Sequence, residues 1–179
     1  AYLCLIALIF VVILPFERLW MGRDRMRPCS RPLLLVHGYT CSRGVWWLLR
    51  RQLEAMPEGG VFVLSIPKAP YRCPPGPYER VCQVAFYLKS AKPRAKVIVL
   101  DANPEITSKK GLFTKVFNET YRGIVEYRAN QPVVEVDARN RVAITEVGER
   151  VKGDVLNVVP PQHAGQIARD TGLANAGKR

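Results

Sequence analysis

Four short stretches of the chain are almost wholly apolar: residues 33–36, 61–64, 96–101 and 155–158. Each is bounded by Gly, Pro or Asp, and each is too short for a helix. That pattern predicts strands buried on both faces, as in a parallel sheet. Between them the period changes. "VWWLLRRQLEAM" has helical spacing and is stopped by "PEGG". "YERVCQVAFYLKSA" places Val81, Val84, Ala85 and Leu88 on one helical face. Strand, loop, helix and strand from Val61 to Asp101 read as a βαβ unit, with the strands at 61–64, 96–101 and 155–158 as parallel neighbours.

The remainder is less regular. "NPEITSKKGLFTKVFNETYRG" is polar and weakly patterned. "IVEYRA", "PVVEVDA" and "RVAITEV" alternate, and predict three short antiparallel strands. "QHAGQIARDTGLA" predicts a closing helix.

The first 14 residues, "AYLCLIALIFVVIL", carry no charge. As a helix they span about 21 Å, against a hydrocarbon core of about 30 Å. The sequence opens without methionine, so a longer run is expected. "FERLWMGRDRMR" follows, with an aromatic and several arginines. Together they predict a membrane anchor whose following segment is cytoplasmic. A buried core helix is the alternative.

Charge supports an anchor more than a nucleic-acid surface. The net charge is +12, and half of it lies between Phe16 and Arg51, where eight arginines face only Glu17 and Asp24. Aromatic residues are not interleaved with the basic ones as a stacking platform requires, so no nucleic-acid partner is expected. Five cysteines without a C-x-x-C, and two distant histidines, suggest neither a disulfide scaffold nor a metal site.

The βαβ unit has the outline of a dinucleotide-binding half, and Asp101 closes its second strand where a ribose would be held. No G-x-G occurs anywhere in the chain, however. The turn reads "RCPPGPYERV" instead, and prolines offer no N–H groups to a pyrophosphate. What this turn presents is Cys73, at the mouth of a helix. A thiol there gains thiolate character from the helix dipole, with Arg72 and Arg80 as further support. Glu79, six residues on, is a candidate proton acceptor facing the same cleft. Two readings stay open for Cys73: a redox or nucleophilic thiol, or an inert cysteine in a turn.

"LRRQLEAMPEGG", "RCPPGPYERV", "KPRAKVIVLDA", "GLFTKVF", "IVEYRANQPVVEVDA" and "GDVLNVVPPQHAGQIA" carry a resemblance. In order and spacing, residues 49–177 resemble the flavoprotein subunit of flavocytochrome c sulfide dehydrogenase, a relative of sulfide:quinone oxidoreductases. The resemblance implies two nucleotide-binding-like domains, FAD held by the first, and a redox-active disulfide beside the flavin. Sulfide attacks that disulfide, and electrons pass through flavin to a cytochrome c subunit. By resemblance, Cys73 matches one cysteine of the pair, Glu79 a glutamate near the flavin, and Pro160–Pro161 a turn close to the cofactor. Cys82 matches no functional residue and is expected in the core. The FAD fingerprint and the second redox cysteine are expected outside the segment that matches.

Upstream, "FERLWMGRDRMRPCSRPLLLVHGYTCSRGVWW" resembles the start of a membrane-anchored α/β-hydrolase of the lipase or esterase type, with "HGY" as oxyanion backbone. No G-x-S-x-G nucleophile elbow follows. The expected fold is therefore α/β: a partial FAD/NAD(P)-binding, Rossmann-like domain with a parallel sheet and an antiparallel insertion, preceded by an apolar helix. Its expected parts are an anchor over residues 1–20, a hydrolase-like fragment over 21–50 and a sulfide-dehydrogenase-like domain over 51–179. The expected activity is part of an FAD-dependent oxidation of sulfide through Cys73. An anchored hydrolase fragment and a non-catalytic fusion remain as alternatives. The family resemblance implies the periplasm, whereas the arginine distribution implies the cytoplasmic side of a membrane.

Overall fold

A computed structural model of the chain describes residues 44–163 and 165–172, apart from the side chains of residues 44–47 and 169. The expected anchor, the strand at 33–36 and most of the hydrolase-like segment lie outside the described residues. Among the described residues, no helix is long and apolar enough to cross a membrane.

The chain divides into two units after Ala55. Of the first, the described part is helix α1, Gly44–Ala55. Arg50 and Glu54 pair across one turn of it, at 2.9 Å on the exposed face.

The second unit is built on a four-stranded sheet. Its strands are β1 (Val61–Ile66), β2 (Lys96–Asp101), β3 (Val125–Arg128) and β7 (Val155–Val158), in the order β3-β2-β1-β7. All three pairings are parallel. The neighbours predicted from the apolar runs are thus found, β1 lying between β2 and β7. A second, antiparallel sheet follows β3: β4 (Val133–Asp137), β5 (Val142–Thr145) and β6 (Arg150–Lys152), in the order β4-β5-β6.

One strand expectation is corrected. "IVEYRA" does not join an antiparallel meander; it is β3, the outer parallel strand beside β2. Alternation does not tell a parallel from an antiparallel partner; the ladder runs parallel along Val97–Leu100, and the Tyr127 hydroxyl also reaches the carboxylate that ends β2. The third antiparallel strand is instead β6, three residues long and too brief to stand out by periodicity.

Why these residues form a sheet is visible in the burial. Phe62, Leu64, Val97, Val99 and Leu100 are all fully buried. Both faces of the central strands are covered, so alternation gives way to a continuous apolar run. Helix α2 (Gly76–Ala91) lies against β1 and β2, and buries Tyr78, Val81, Val84, Ala85 and Leu88. Val63 and Leu100 pack with Ala143 and Val151 of the antiparallel sheet. The insertion therefore shares a core cluster with the main sheet. Its edge strand β4 leaves Val134 and Val136 exposed, and a register irregularity lies between Val133 and Glu135.

The polar stretch after β2 also folds. It forms α3 (Lys110–Lys115) and a π-helical turn (Val116–Thr120). Phe113 and Phe117 anchor it, spaced four residues apart and both buried. The last helix, α4, covers only Gln166–Asp170.

Candidate functional site

Parallel strands send their carboxyl ends to one edge of the sheet. Ile66 stands opposite Asp101, and Ser65 opposite Val158. Four segments leave that edge together: residues 67–75 after β1, 102–109 after β2, 129–132 after β3 and 159–163 after β7. In open α/β sheets this is where ligands bind.

The first segment carries Cys73. It holds a cis peptide at Ala69–Pro70. Cys73 is exposed, and its φ of +55° lies in the left-handed region that residues with a Cβ seldom adopt. Its carbonyl accepts the N–H of Gly76 at 2.9 Å, which closes the turn into α2. Gly76 answers a close approach: a Cβ there would stand 3.2 Å from Cys73 Sγ. The thiol leans on the first residue of the helix, where a side chain would push it away. The sequence expectation of a thiol at a helix mouth is met in geometry.

Pro160 and Pro161 are brought to the same loop. The N–H of Arg72 donates to Gln162 Oε1 at 2.7 Å, and the N–H of Val159 donates to Ser65 O at 3.3 Å. Both prolines are exposed. The residue before the thiol is thus tied to the residue after the Pro-Pro turn.

Glu79 and Arg80 are placed differently. Glu79 is exposed in the first turn of α2, three residues before Cys82. Burial chiefly, and then the Glu79 charge, push the Cys82 thiol up to about 11. Among the described residues no hydrogen bond joins Glu79 to Cys73; the electrostatic reach of Glu79 is toward Cys82. Arg80 is half-buried, and its Nη1 donates to Asn157 Oδ1 of β7 at 3.0 Å. It braces helix to strand, and burial works against its charge. Cys82 is half-buried beside the apolar face, short of the full burial expected.

Sequence reasoning missed the polar centre of this edge. Asp101 is fully buried, and its two oxygens receive four donors. Tyr78 Oη and Tyr127 Oη donate to Oδ2 at 2.7 and 2.8 Å. The N–H and Nδ2 of Asn103 donate to Oδ1 at 2.9 and 2.7 Å. Burial raises the pKa of both tyrosines, and the bond to Asp101 adds to it. Tyr78, Phe113, Phe117 and Tyr127 form an aromatic row with centroids 5.4, 6.1 and 6.3 Å apart, so the two tyrosines that meet at Asp101 are also linked through α3 and the π-helical turn. An acid at the end of a strand was visible in the sequence; its partners, 23 and 26 residues away, were not.

This arrangement decides what the edge can hold. A ribose needs a carboxylate with free lone pairs facing the crevice. Asp101 has no exposed surface and its oxygens are already engaged. The loop that would cradle a pyrophosphate contains Pro70, Pro74 and Pro75, which lack N–H groups. Asp101 and the β1–α2 turn therefore do not fit the ribose and pyrophosphate of FAD. Among the described residues, no group of three or more His, Cys, Asp or Glu side chains is placed to hold a metal ion. The edge offers an exposed sulfur on a fixed loop.

The model of one protein family, the sulfide dehydrogenase (flavocytochrome c) flavoprotein chain, central, matches residues 47–160. The match starts inside α1 and ends at Pro160, so Pro161 and the residues after it fall beyond it. It overlaps the hydrolase-like segment, residues 21–50, only at residues 47–50, and the hydrolase resemblance is not supported. With more than half of its residues matched, the chain belongs to the family of the flavocytochrome c sulfide dehydrogenase flavoprotein chain, through that chain's central region.

Proposed function

We propose that this unit supplies the sulfur at which sulfide is oxidised, and that the sulfur is Cys73. The family is the flavoprotein chain of a flavocytochrome c, which implies flavin and a cytochrome partner. The single observation that carries the reading is the placement of Cys73: exposed, in a left-handed turn, against Gly76 at the helix mouth, with the Pro160–Gln162 segment tied to its loop.

The chemistry proposed is thiol–disulfide exchange. Cys73 enters as one half of a disulfide with a second thiol. Hydrosulfide attacks one of the two sulfurs; the S–S bond breaks, one sulfur leaves as thiolate, and the other becomes a persulfide. The lone pair of the attacking hydrosulfide forms the new S–S bond, and the electron pair of the broken S–S bond leaves on the released thiolate. Cys73 is a free thiol here, and so is Cys82, the other cysteine among the described residues. By the family resemblance, this reading takes the second sulfur from outside the segment that matches. The family is a flavoprotein one, and a bound flavin would supply the electron acceptor that this reading needs. An oxidising compartment such as the periplasm suits a disulfide of this kind.

Glu79 is the candidate proton acceptor of this reading, on the strength of its exposure at the same helix mouth. Pro160 and Pro161 are the candidate cofactor contacts, because Gln162 ties their turn to Arg72. The test is Cys73→Ser in the flavoprotein assembled with flavin and its cytochrome subunit. Sulfide-dependent bleaching of the flavin should fall to background, while Cys82→Ser should bleach as the parent does. Bleaching that survives Cys73→Ser would overturn the reading.

A further inference from the structure

We propose that Asp101 is the positioning residue of the Cys73 loop: a strand-end carboxylate buried as a hub, which fixes where the thiol stands. The use of that position rests on the reading of Cys73 as the reacting sulfur; the geometry does not.

The hub joins three elements and a loop. Its donors come from α2 (Tyr78), β3 (Tyr127) and the segment after β2 (Asn103). All four contacts bring a donor, the set that an acceptor-only carboxylate takes. Two of these partners lead on into the loop that carries Cys73. Asn103 Nδ2 also donates to Pro67 O at 3.0 Å, and Asn103 Oδ1 accepts the N–H of Ala69 at 2.9 Å. Tyr78 Oη accepts the N–H of Thr107 at 3.1 Å. Thr107 Oγ1 lies 2.8 Å from Tyr71 Oη, which in turn donates to Pro74 O at 3.3 Å. Residues 67, 69, 71 and 74 are thus all bonded within a few steps of one carboxylate.

Cys73 lies within this set, and needs it. A residue with a Cβ keeps a positive φ only where its surroundings over-determine it. Its sulfur also leans on Gly76, the start of the helix that carries Tyr78. Asp101 thereby holds both the loop beneath the thiol and the helix beside it.

Tyr127 supplies the control. It gives Asp101 one of the same four bonds, yet it stands on β3, and among the described residues its hydroxyl makes no hydrogen bond to a residue of the loop. The experiment compares Asp101→Asn, Tyr78→Phe and Tyr127→Phe in the full chain. The native-state alkylation rate of Cys73 by iodoacetamide is read by peptide mass, with Cys82 as internal reference and the thermal midpoint alongside. Asp101→Asn and Tyr78→Phe should change the Cys73 rate relative to Cys82 by on the order of tenfold. Tyr127→Phe should lower the midpoint comparably and leave that ratio within about twofold. If Asp101→Asn does not fold, the two tyrosine variants decide alone. An unchanged ratio in Tyr78→Phe, or an equal change in Tyr127→Phe, would show that the hub only stabilises the fold. No sulfide enters this assay, so its outcome is separate from the fate of the redox reading.

Discussion

The backbone N–H of Arg72 donates to the side-chain oxygen of Gln162, 90 residues away in sequence and 2.7 Å in space. The bond fastens the segment after the last parallel strand to the loop that bears the thiol. Both partners are exposed, so its net worth is at the low end of about 0.5–1.5 kcal/mol. Gln162→Ala should leave the denaturant midpoint nearly unchanged and remove the protection of the Arg72 amide in hydrogen exchange. Persistence of that protection would mean that the two segments are joined by something else.

The core of α2 should behave oppositely. Leu88 is fully buried between helix and sheet. Leu88→Ala should cost about 2–5 kcal/mol in urea unfolding, through lost transfer energy and the cavity left behind. Val134, 64% exposed on the edge strand β4, should cost within about 0.5 kcal/mol when changed to Ala.

Alkaline pH should destabilise the chain before it ionises the hub. Burial raises the pKa of Tyr78 and Tyr127 from 10.0, and moves Cys82 from 9.0 to about 11. A raised folded value means that the unfolded chain releases its proton first. These groups therefore leave stability level below about pH 9, and lower it as pH rises above their unfolded values. Each proton held back contributes a slope of at most about 1.4 kcal/mol per pH unit. Unfolding free energy measured from pH 7 to 11 should be flat and then fall. A rise over that range would contradict the burial of these groups.

Glu79 faces Cys82 electrostatically, and a neutral side chain there should show it. Glu79→Gln removes the charge that helps to raise the Cys82 thiol, so Cys82 should alkylate faster at pH 8. The gain should be modest, because burial is the larger cause. An unchanged Cys82 rate would put the Glu79 carboxylate elsewhere.

Much of this fold is written in local pattern. Residues 61–64, 96–101 and 155–158 are apolar because their strands are covered on both faces, and that burial is readable without coordinates. The face of α2 is readable for the same reason, in its period. The place of β3 is not readable from its own alternation, because its partner β2 lies more than twenty residues away in sequence. α3 and the π-helical turn looked formless because two phenylalanines anchor them among polar neighbours. At the site, Cys73 was legible as a thiol framed by prolines. Asp101 was legible only as an acid ending a strand; that it is buried and saturated depends on the packing of α2, β3 and the segment after β2.

The central claim is that, of the two cysteines among the described residues, Cys73 is presented on an exposed loop, while Cys82 is half-buried on α2. Limited alkylation of the native chain across pH 6 to 9, read by peptide mass, tests it most directly. Cys73 should be modified first throughout that range, with Cys82 following only toward its upper end, as burial and the nearby Glu79 charge require. Modification of Cys82 before Cys73 would contradict the account.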